Sequence, residues 1–560
     1  MDQIVLVLFL FLFPILVALL LLLRFVTVIR TRRSSSGNGN SGGLPPSPPG
    51  QLPIIGHLHL VMVGSHPPHV SLREIAARHG GLVLLRLGQV PNLVVSSPRA
   101  AEVVLRAHDH AFASRPPSAA ADILVGGAAG PYDVAWAPYG DYWRQARKLV
   151  AAHLPSARKV HSLRRARQEE VRRALAMVVA AAAASCAVDV AEVVGAFVND
   201  VVCAAVSGRS LLFRHAGRNR RVLRELILDN TRLLGGFNSI CDYFPIVAML
   251  LTPIYMLCAG TTTRLKNRWD VLLDQTIDEH VMAAKPLHED HNNQQEEDSR
   301  DFIDVLLSLQ QEYCLTRHQV KAILMDMFVA GTDTSSVALE YAMAELIKNP
   351  HVMTKLQAEI TSNTLKGQEM VTEEDLDNMT YLKAVVKETL RLHPPTPLML
   401  PRISLDKCDV NGYTIPAGTR VIVNAWALGR DPKSWDKADE FMPENAWALG
   451  RDPKSWDKAD EFMPERFIHC GNTSSSVDDF KGRDFKFLPF GAGRRICPGI
   501  NFGVVTVEIM LANLLYCFDW DLPTGMNRED IDMTEVFGLT VRLKEKLLLV
   551  PRSLRNVDHT

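Results

Sequence analysis

Net charge, paired cysteines and phosphate-binding glycine motifs are all scarce in this sequence. The 560 residues include 61 Lys+Arg and 62 Asp+Glu, so the formal net charge is -1 and no overall field favours nucleic acid or another polyanion. The nine cysteines are scattered and contain no C-x-x-C pair. This pattern excludes a disulfide framework and is typical of a reducing compartment.

Glycine motifs that cradle nucleotide phosphates are also missing. No G-x-x-x-x-G-K segment occurs, and Gly37-Asn38-Gly39 has no strand before it, so it does not predict a dinucleotide-binding turn. The chain is therefore not expected to bind a dinucleotide itself. Hydrophobic residues make up 47% and charged residues 22%, which is the composition of an ordinary globular protein.

A long apolar run stands at the N-terminus. Residues 4–23 contain no charged or polar side chain, and as a helix they are about 30 Å long, enough to cross the hydrocarbon core of a membrane. Only Asp2 precedes the run, whereas four arginines follow it: Arg24, Arg30, Arg32 and Arg33. This asymmetry predicts a retained anchor over residues 1–33, with the rest of the chain in the cytosol. A cleaved signal peptide, the alternative, would carry its positive charge before a shorter run.

The remainder divides into a linker and one folded body. Residues 34–50 are a Ser/Gly-rich linker and a proline-rich hinge, and residues 51–560 are expected to form one domain. Helices are predicted over three ranges: 163–206, 316–349 and 380–393. At the start of the second, Gln319 is placed to form a capping box with Thr316. Strands are predicted within 81–95, 413–415 and 420–424, and as a final pair within 539–550. The fold class is therefore mainly α with a minor β portion.

An exact tandem repeat lies in the last third of the chain. Residues 424–444 read NAWALGRDPKSWDKADEFMPE, and residues 445–465 repeat them without a change. Solenoid repeats diverge and need several copies, so this pair does not indicate a repeat architecture. Because two copies cannot occupy one position, we expect Asn424-Ala425-Trp426 to continue the preceding strand. We expect Phe462-Met463-Pro464-Glu465 to occupy the native site, with about one copy looped out between them. An error in the gene sequence and a real insertion both stay open.

The segment from Phe490 to Gly499, FGAGRRICPG, carries residues suited to chemistry. Pro498 favours the first position of a helix, so Cys497 is expected at a helix N-terminus, where unpaired N–H groups stabilise a thiolate. The glycines permit tight turns and the close approach of a flat surface. Arg495 is available to pair a carboxylate. A lone thiolate here suits a haem iron better than zinc, which needs more ligands nearby; a buried free cysteine is the alternative.

The same ten residues match F-x-x-G-x-R-x-C-x-G, and in this segment the chain resembles the cytochromes P450, whose haem-thiolate signature this is. The resemblance implies that Cys497 is the metal ligand, on the iron of haem b. Three further residues of the signature would lie beside the haem: Phe490, Arg495 and Gly499. Trp143 and Arg147, a W-x-x-x-R pair on one helix face, would meet a haem propionate.

Other segments resemble family motifs in the expected order. Glu388-Thr389-Leu390-Arg391 resembles the E-x-x-R of the K helix, and Arg466, in a P-E-R-F element, would complete an ion-pair network that supports the haem-binding core. The segment 330–335 resembles A-G-x-D/E-T-T/S, which implies that Asp333 and Thr334 deliver the protons that oxygen activation needs. Taken alone, each motif is more often an ordinary polar helix face or a surface ion pair; their order along the chain favours the family interpretation.

The resemblance is to the plant microsomal branch and covers the chain after the anchor. It implies the cytochrome P450 fold behind one transmembrane helix, in the endoplasmic reticulum membrane and its lipid. It also implies that electrons come from NADPH through a separate NADPH–cytochrome P450 reductase. A basic face near the haem loop is either a docking surface for that reductase or an ordinary solvated surface. Its members are Arg144, Lys148, Lys481, Arg483, Lys486 and Arg494.

The implied reaction inserts one oxygen atom from O2 into a lipophilic plant metabolite, and no nucleic-acid partner is expected. By resemblance the pocket draws on mostly apolar segments: 119–132, 237–257, 325–329, 396–400 and 536–539. Two alternatives stay open. One is a haem-thiolate isomerase or dehydratase, which tends to lack the acid–threonine pair seen at Asp333 and Thr334. The other is a haem-binding or haem-free relic inactivated by the duplication.

Overall fold

The structure is a computed structural model, and it describes residues 43–64, 66–127, 130–208, 216–235, 240–245, 252–283, 300–431, 460–468 and 480–554. The predicted anchor at 1–33 and most of the linker lie outside the described residues. So does the segment 432–459, which contains the junction between the two copies of the repeat.

Helices make up most of the described chain. In the first half they are α1 Leu58–Met62, α2 Pro68–His79, α3 Pro98–Glu102, α4 Ala119–Leu124, α5 Asp141–His153, α6 Ala157–Ser162, α7 Arg164–Ala183, α8 Val190–Ser207, α9 Ala216–Leu234, α10 Ile240–Tyr243 and α11 Thr252–Ala283. In the second half they are α12 Phe302–Ser308, α13 Arg317–Lys348, α14 Pro350–Asn363, α15 Thr380–Leu392, α16 Ala425–Leu428 and α17 Ile500–Cys517. Short 3-10 turns occur at Asp375–Asn378, Pro464–Phe467, Gly493–Arg495 and Arg528–Asp530, and a π-helical turn at Val103–Ala107.

The strands are short and form small sheets. They are β1 Leu82–Leu87, β2 Val90–Val95, β3 Gly126–Gly127, β4 Gly130–Pro131, β5 Val188–Asp189, β6 Arg402–Ile403, β7 Cys408–Val410, β8 Tyr413–Ile415, β9 Arg420–Val423, β10 Phe518–Asp521, β11 Glu535–Val536, β12 Arg542–Leu543 and β13 Leu548–Ser553. One sheet has the order β1-β2-β9-β6, with β2 and β9 parallel. A second has the order β10-β13-β5, and the other three are two-stranded. The prediction of a mainly α protein with a minor β portion is confirmed.

Helix α13 runs through the centre of the core. It packs against α8, α15 and α17, and most of its residues are buried. A Cβ added at Gly331 would lie 3.0 Å from Val202, so glycine lets α8 approach closely at this point. The predicted capping box is present: the Thr316 side chain accepts from the backbone of Gln319, and the Gln319 side chain bonds back to Thr316. Helices α8, α13 and α17 are long and apolar enough to cross a membrane, but most of each is buried in this core.

Several predicted elements differ in the structure. The helix predicted over 163–206 is two helices, α7 and α8, because the chain breaks after Ala183 and forms β5 against Leu548 and Leu549 of β13. The final strands do not pair with each other: β12 pairs with β11, and β13 pairs with β10 and β5. The strand before the repeat ends at Val423, and Asn424 caps α16 with its side chain, so the expectation that Asn424-Ala425-Trp426 continue the strand is wrong.

Candidate active site

A largely apolar cavity lies between the middle of α13 and the loop that precedes α17. Its volume is about 310 Å³, and its walls carry far more carbon than polar surface. Cys497, Phe490, Arg495 and Gly499 line one side of it, and Asp333 and Thr334 line the other. The fold therefore brings two segments together in one cavity, although more than 150 residues of sequence separate them.

Cys497 sits in a tight glycine loop. Gly491 and Gly493 both have φ of +70°, and a Cβ at Gly493 would lie only 2.4 Å from the carbonyl oxygen of Leu105, so this position requires glycine. The amide of Cys497 donates to the carbonyl of Phe490 at 2.9 Å. The helix itself begins only at Ile500, with Gly499 as its N-cap, so the expectation that Cys497 stands at the helix N-terminus is wrong.

The environment of the Cys497 thiol has opposing effects on its charge. Burial raises the pKa of Cys497, whereas a hydrogen bond from the backbone of Gly499 and the positive charge of Arg147 lower it. The stabilising N–H therefore comes from the loop that leads into α17. An iron ion bound to Cys497 would stabilise the thiolate further.

A cluster of basic side chains borders the cavity. Arg495 donates to the carbonyls of Ala113 and Ala137, at 2.7 and 2.6 Å, and its guanidinium lies 4.2 Å from the ring centroid of Trp143. Arg147 donates to the carbonyl of Ile496, and the indole N–H of Trp143 donates to Val134 at 3.0 Å. The structure thus places Trp143, Arg147 and Arg495 together, as the resemblance implies.

Two further arginines belong to this cluster, and sequence reasoning missed them. Arg115 donates to the carbonyls of Ala135, Leu400 and Pro401 at 2.8 to 2.9 Å. Arg402 donates to the carbonyl of Ala492 at 3.0 Å, and both arginines line the cavity. The motif FASRP, which contains Arg115, was the available signal, but sequence alone did not connect it to the haem.

The arginine cluster concentrates positive charge beside the cavity, with the carboxylates of Asp133 and Asp326 near Arg115 and that of Asp109 near Arg402. Burial, with the neighbouring charges of Arg495 and Arg402, lowers the pKa of Arg115, and burial with Arg402 lowers the pKa of Arg495 to about 9. Burial lowers the pKa of Arg402 to about 10. Such a cluster suits an anionic group, and the two propionates of a haem would supply it.

On the opposite wall, α13 carries the acid–threonine pair. The Thr334 hydroxyl donates to the carbonyl of Ala330 at 2.7 Å, as expected for a threonine inside a helix. The buried carboxylate of Asp333 accepts from the Thr540 hydroxyl and forms an ion pair with Arg542. Neither partner was predictable from the motif, because both come from the C-terminal part of the chain.

The predicted ion-pair network is assembled next to the core. Arg391 forms two hydrogen bonds with Glu388, both at 2.7 Å, and the two side chains are fully buried. Arg466 lies 3.4 Å from the Glu388 carboxylate, and the backbone amide of Met463 donates to the same carboxylate at 2.7 Å. The expectation that the second copy's Phe462 to Glu465 lie beside Glu388 and Arg391 is confirmed.

The wall opposite Cys497, called the distal wall below, matches the predicted substrate pocket only in part. The segments 325–329, 396–400 and 536–539 supply lining residues, but the described part of 119–132 does not; its neighbours Val134, Ala135 and Trp136 line the cavity instead. Much of 237–257 lies outside the described residues. Helices α8 and α9 contribute residues that the sequence analysis did not place: Val202, Ala205, Val206, Asn230, Thr231 and Leu234.

These observations define a haem-thiolate protein. The cysteine in the cavity wall, the arginine cluster and the apolar cavity fit haem b on three separate grounds: ligand, charge and polarity. When bound, haem supplies the iron that activates dioxygen. The residues of the chain would hold it: Cys497 as ligand, and the basic cluster with Trp143 at the carboxylates.

Comparison with known proteins gives the family. The model of the family "Cytochrome P450" matches residues 45–445 and 444–550, and the chain belongs to that family. It is 54% identical to indole-2-monooxygenase of Zea mays over 509 residues, which are 91% of this chain and 87% of that protein. It is 50% identical to indolin-2-one monooxygenase of Zea mays, again with 91% and 89% covered. The chain is therefore a plant cytochrome P450 and an oxygen-incorporating oxidoreductase.

Solved structures agree on the fold. A zebra fish cytochrome P450 with progesterone has a TM-score of 0.68 at 23% identity, covering 87% of this chain and 100% of that one. A zebra fish cytochrome P450 structure with abiraterone has a TM-score of 0.66, covering 88% of this chain and 99% of that one. At this identity the likeness establishes the cytochrome P450 fold alone.

Proposed function

We propose that the chain inserts one oxygen atom into a small, flat substrate built on an indole-type ring. The observation that carries this is a set of three Zea mays relatives, 49 to 54% identical, which are named for indole, indolin-2-one and 3-hydroxyindolin-2-one. All three names contain the same fused ring with one nitrogen. The apolar cavity supports the proposal, since its lining suits a small aromatic ring.

In this proposal the side chains on the distal wall position the ring and move protons. Asp333 and Thr334 lie on the cavity wall, where a proton donor for oxygen activation must stand. Cys497 would hold the haem iron, and the arginine cluster would hold the haem carboxylates. The presence of the acid–threonine pair favours a monooxygenase over a haem-thiolate isomerase or dehydratase.

Electron supply and location are further parts of the proposal. Electrons come from NADPH through a membrane-bound reductase, and residues 1–33 anchor the chain in the endoplasmic reticulum membrane. Support comes from the basic face: Arg144, Lys148, Lys481, Arg483 and Arg494 are exposed, and Lys486 is half-buried. Surface charge of this kind speeds docking of an acidic partner.

The test begins with the full-length protein, expressed in microsomes with a plant reductase. A carbon monoxide difference spectrum of the thiolate type reports haem held by a cysteine, and its absence would leave the haem-free relic. NADPH-dependent conversion of indole to a product with one added oxygen is the expected result. Failure to oxidise indole or its lactams, in a protein with a normal spectrum, would reject the proposed substrate class but leave the reaction class standing.

A further inference from the structure

The distal wall of the cavity, in the part that the structure describes, contains Asn230, whose hydrogen bonding is incomplete. Asn230 lies on α9, one residue from Thr231, and is 3% exposed. Its amide oxygen accepts no hydrogen bond from any residue that the structure describes. A buried acceptor without a donor is costly, and a ligand that supplies the donor removes that cost.

The other oxygen-bearing side chains around it are already engaged. The Thr231 hydroxyl donates to the carbonyl of Leu228 at 3.1 Å, and the Thr334 hydroxyl donates to Ala330. The Thr540 hydroxyl donates to Asp333, whose carboxylate also pairs with Arg542. Among the described residues that line the cavity, the amide oxygen of Asn230 is thus the buried side-chain oxygen without a hydrogen bond or an ion pair.

The position of Asn230 is fixed by its neighbours. The carbonyl of Thr231 accepts from the amide of Leu539 at 3.0 Å, which ties the end of α9 to the C-terminal segment. Leu234 and Leu539, which also line the cavity, surround this end of the helix with apolar surface. A hydrogen bond formed among apolar walls discriminates strongly, because an analogue that lacks the donor leaves the acceptor buried and unpaired.

We propose that Asn230 is the substrate-orienting residue, accepting a hydrogen bond from the single ring N–H or O–H donor of a flat, otherwise apolar ligand. The proposal rests on the proposed function for the ring, since an indole-type ring offers one N–H and no other strong donor. By holding that N–H, Asn230 determines which edge of the ring faces the haem side of the cavity.

The experiment compares ligands that differ only in the donor. Haem-loaded protein is titrated with indole and 1-methylindole, and with 2-naphthol and 2-methoxynaphthalene, while the ligand-induced change in the haem absorption spectrum is recorded. We expect the wild type to bind each donor-bearing ligand about tenfold more tightly than its methylated analogue. In Asn230→Leu this ratio should fall to about one, because the acceptor is gone while the shape of the side chain is similar.

Controls separate a local effect from misfolding. Arg221 lies on the exposed surface of α9, so the Arg221→Gln variant should keep the wild-type ratio. All variants must show the same carbon monoxide spectrum and haem content, so that a ratio is compared only between intact proteins. An Asn230→Leu variant with the wild-type ratio for both pairs would overturn the inference, as would a wild type that prefers neither donor-bearing ligand. An Asn230-dependent preference in the naphthol pair, without any binding of indole, would reject the proposed substrate class and retain the role of Asn230.

Discussion

At the scale of single residues, Asp333 has more partners than a simple proton donor needs. Its carboxylate is held by both Thr540 and Arg542, and Arg542 comes from β12. Burial, with Arg232 and Arg224 nearby, lowers the pKa of Arg542 to about 10, so the arginine remains charged at neutral pH. Arg542 is therefore a positioning residue for the acid on α13.

We expect Arg542→Gln to lower the yield of product per NADPH consumed several-fold, because a general acid acts only when it is positioned. Haem content and the carbon monoxide spectrum should not change, and Arg542→Lys should restore most of the yield. Product, peroxide and NADPH are measured together. Arg552→Gln, which removes an exposed ion pair with Asp521, is the matched control. Wild-type yield in Arg542→Gln would exclude the positioning role.

A second residue-scale feature is the pair formed by His280 and Asp301. The His280 ring lies 2.9 Å from the Asp301 carboxylate and 2.7 Å from the carbonyl of Thr276. Burial lowers the pKa of His280, but the hydrogen bond and charge of Asp301 outweigh it and raise the pKa to about 9. Both ring nitrogens are engaged, which makes this an ion pair that joins α11 to the start of α12.

The raised pKa fixes the sign of a pH effect. A histidine with a folded-state pKa above about 6.5 contributes stability that is complete below that value and lost as pH rises through about 9. Converted in full, the raised pKa of His280 corresponds to about 3 kcal/mol of unfolding free energy, and solvent screening reduces this contribution to about 1–2 kcal/mol. His280→Gln should therefore lower the free energy of unfolding in urea at pH 6 but hardly at pH 10. The exposed His351→Gln serves as control, and a pH-independent loss in His280→Gln would contradict the prediction.

At the scale of elements, local signals predicted the elements that local contacts form. Thr316 and Gln319 mark the start of α13 because a capping box needs only four residues. The break between α7 and α8 was not predictable, because it depends on β5 pairing with Leu548 and Leu549, some 360 residues later. The same holds in the site: motif resemblance predicted Cys497 and Arg495, whereas Arg115 joins them through contacts with the distant Leu400 and Pro401.

The link between α15 and the segment 460–468 depends on buried charge. Arg391 satisfies the Glu388 carboxylate and also donates to the carbonyls of Gly429 and Glu461, at 2.7 and 3.0 Å. Lysine cannot form these bonds together, since it lacks the planar fork of the guanidinium. On the surface of the same link, Lys355 pairs with Glu465 at 2.7 Å.

We expect Arg391→Lys to destabilise the fold by about 3 kcal/mol or more, because it leaves a buried carboxylate partly unpaired. Lys355→Gln should cost less than about 1 kcal/mol, as exposed ion pairs contribute little. Thermal unfolding and haem retention of the two variants are compared. Equal stability of the two variants would show that burial of the Glu388 network does not stabilise this link.

At the scale of the whole molecule, each copy of the repeat supplies one part of the described structure. The first copy supplies Asn424 to Asp431, and the second supplies Asp460 to Glu465. Arg430 contacts Asp460 at 3.0 Å, so the two ends of the intervening segment meet. The two stretches matched by the family model also meet at 444–445, the junction of the copies. A chain with one copy would join the same two ends with seven residues, PKSWDKA.

Because the ends meet, the fold accommodates the extra copy without separating Arg430 from Asp460. An added loop of about twenty residues costs only about 1 kcal/mol in closure entropy. The greater cost to folding comes from the apolar side chains of the loop, since each copy contains two tryptophans and a phenylalanine. We therefore expect deletion of Asn445 to Glu465 to raise the haem content per protein and the soluble yield. Sequencing the transcript decides separately whether the natural chain carries both copies.

A length-matched control separates the two costs. Replacing residues 432–452 by twenty-one Gly and Ser residues keeps the PKSWDKA connection and the loop length but removes the duplicated aromatic side chains. If the aromatic side chains lower the haem content, the Gly/Ser variant should match the deletion variant. If the length of the loop lowers it, the Gly/Ser variant should match the wild type. Equal haem occupancy in all three proteins would show that the insertion is harmless. The contacts at the two ends of the segment, among them the Arg430–Asp460 ion pair and the bond from Arg391 to Glu461, would then hold the native connection around either loop.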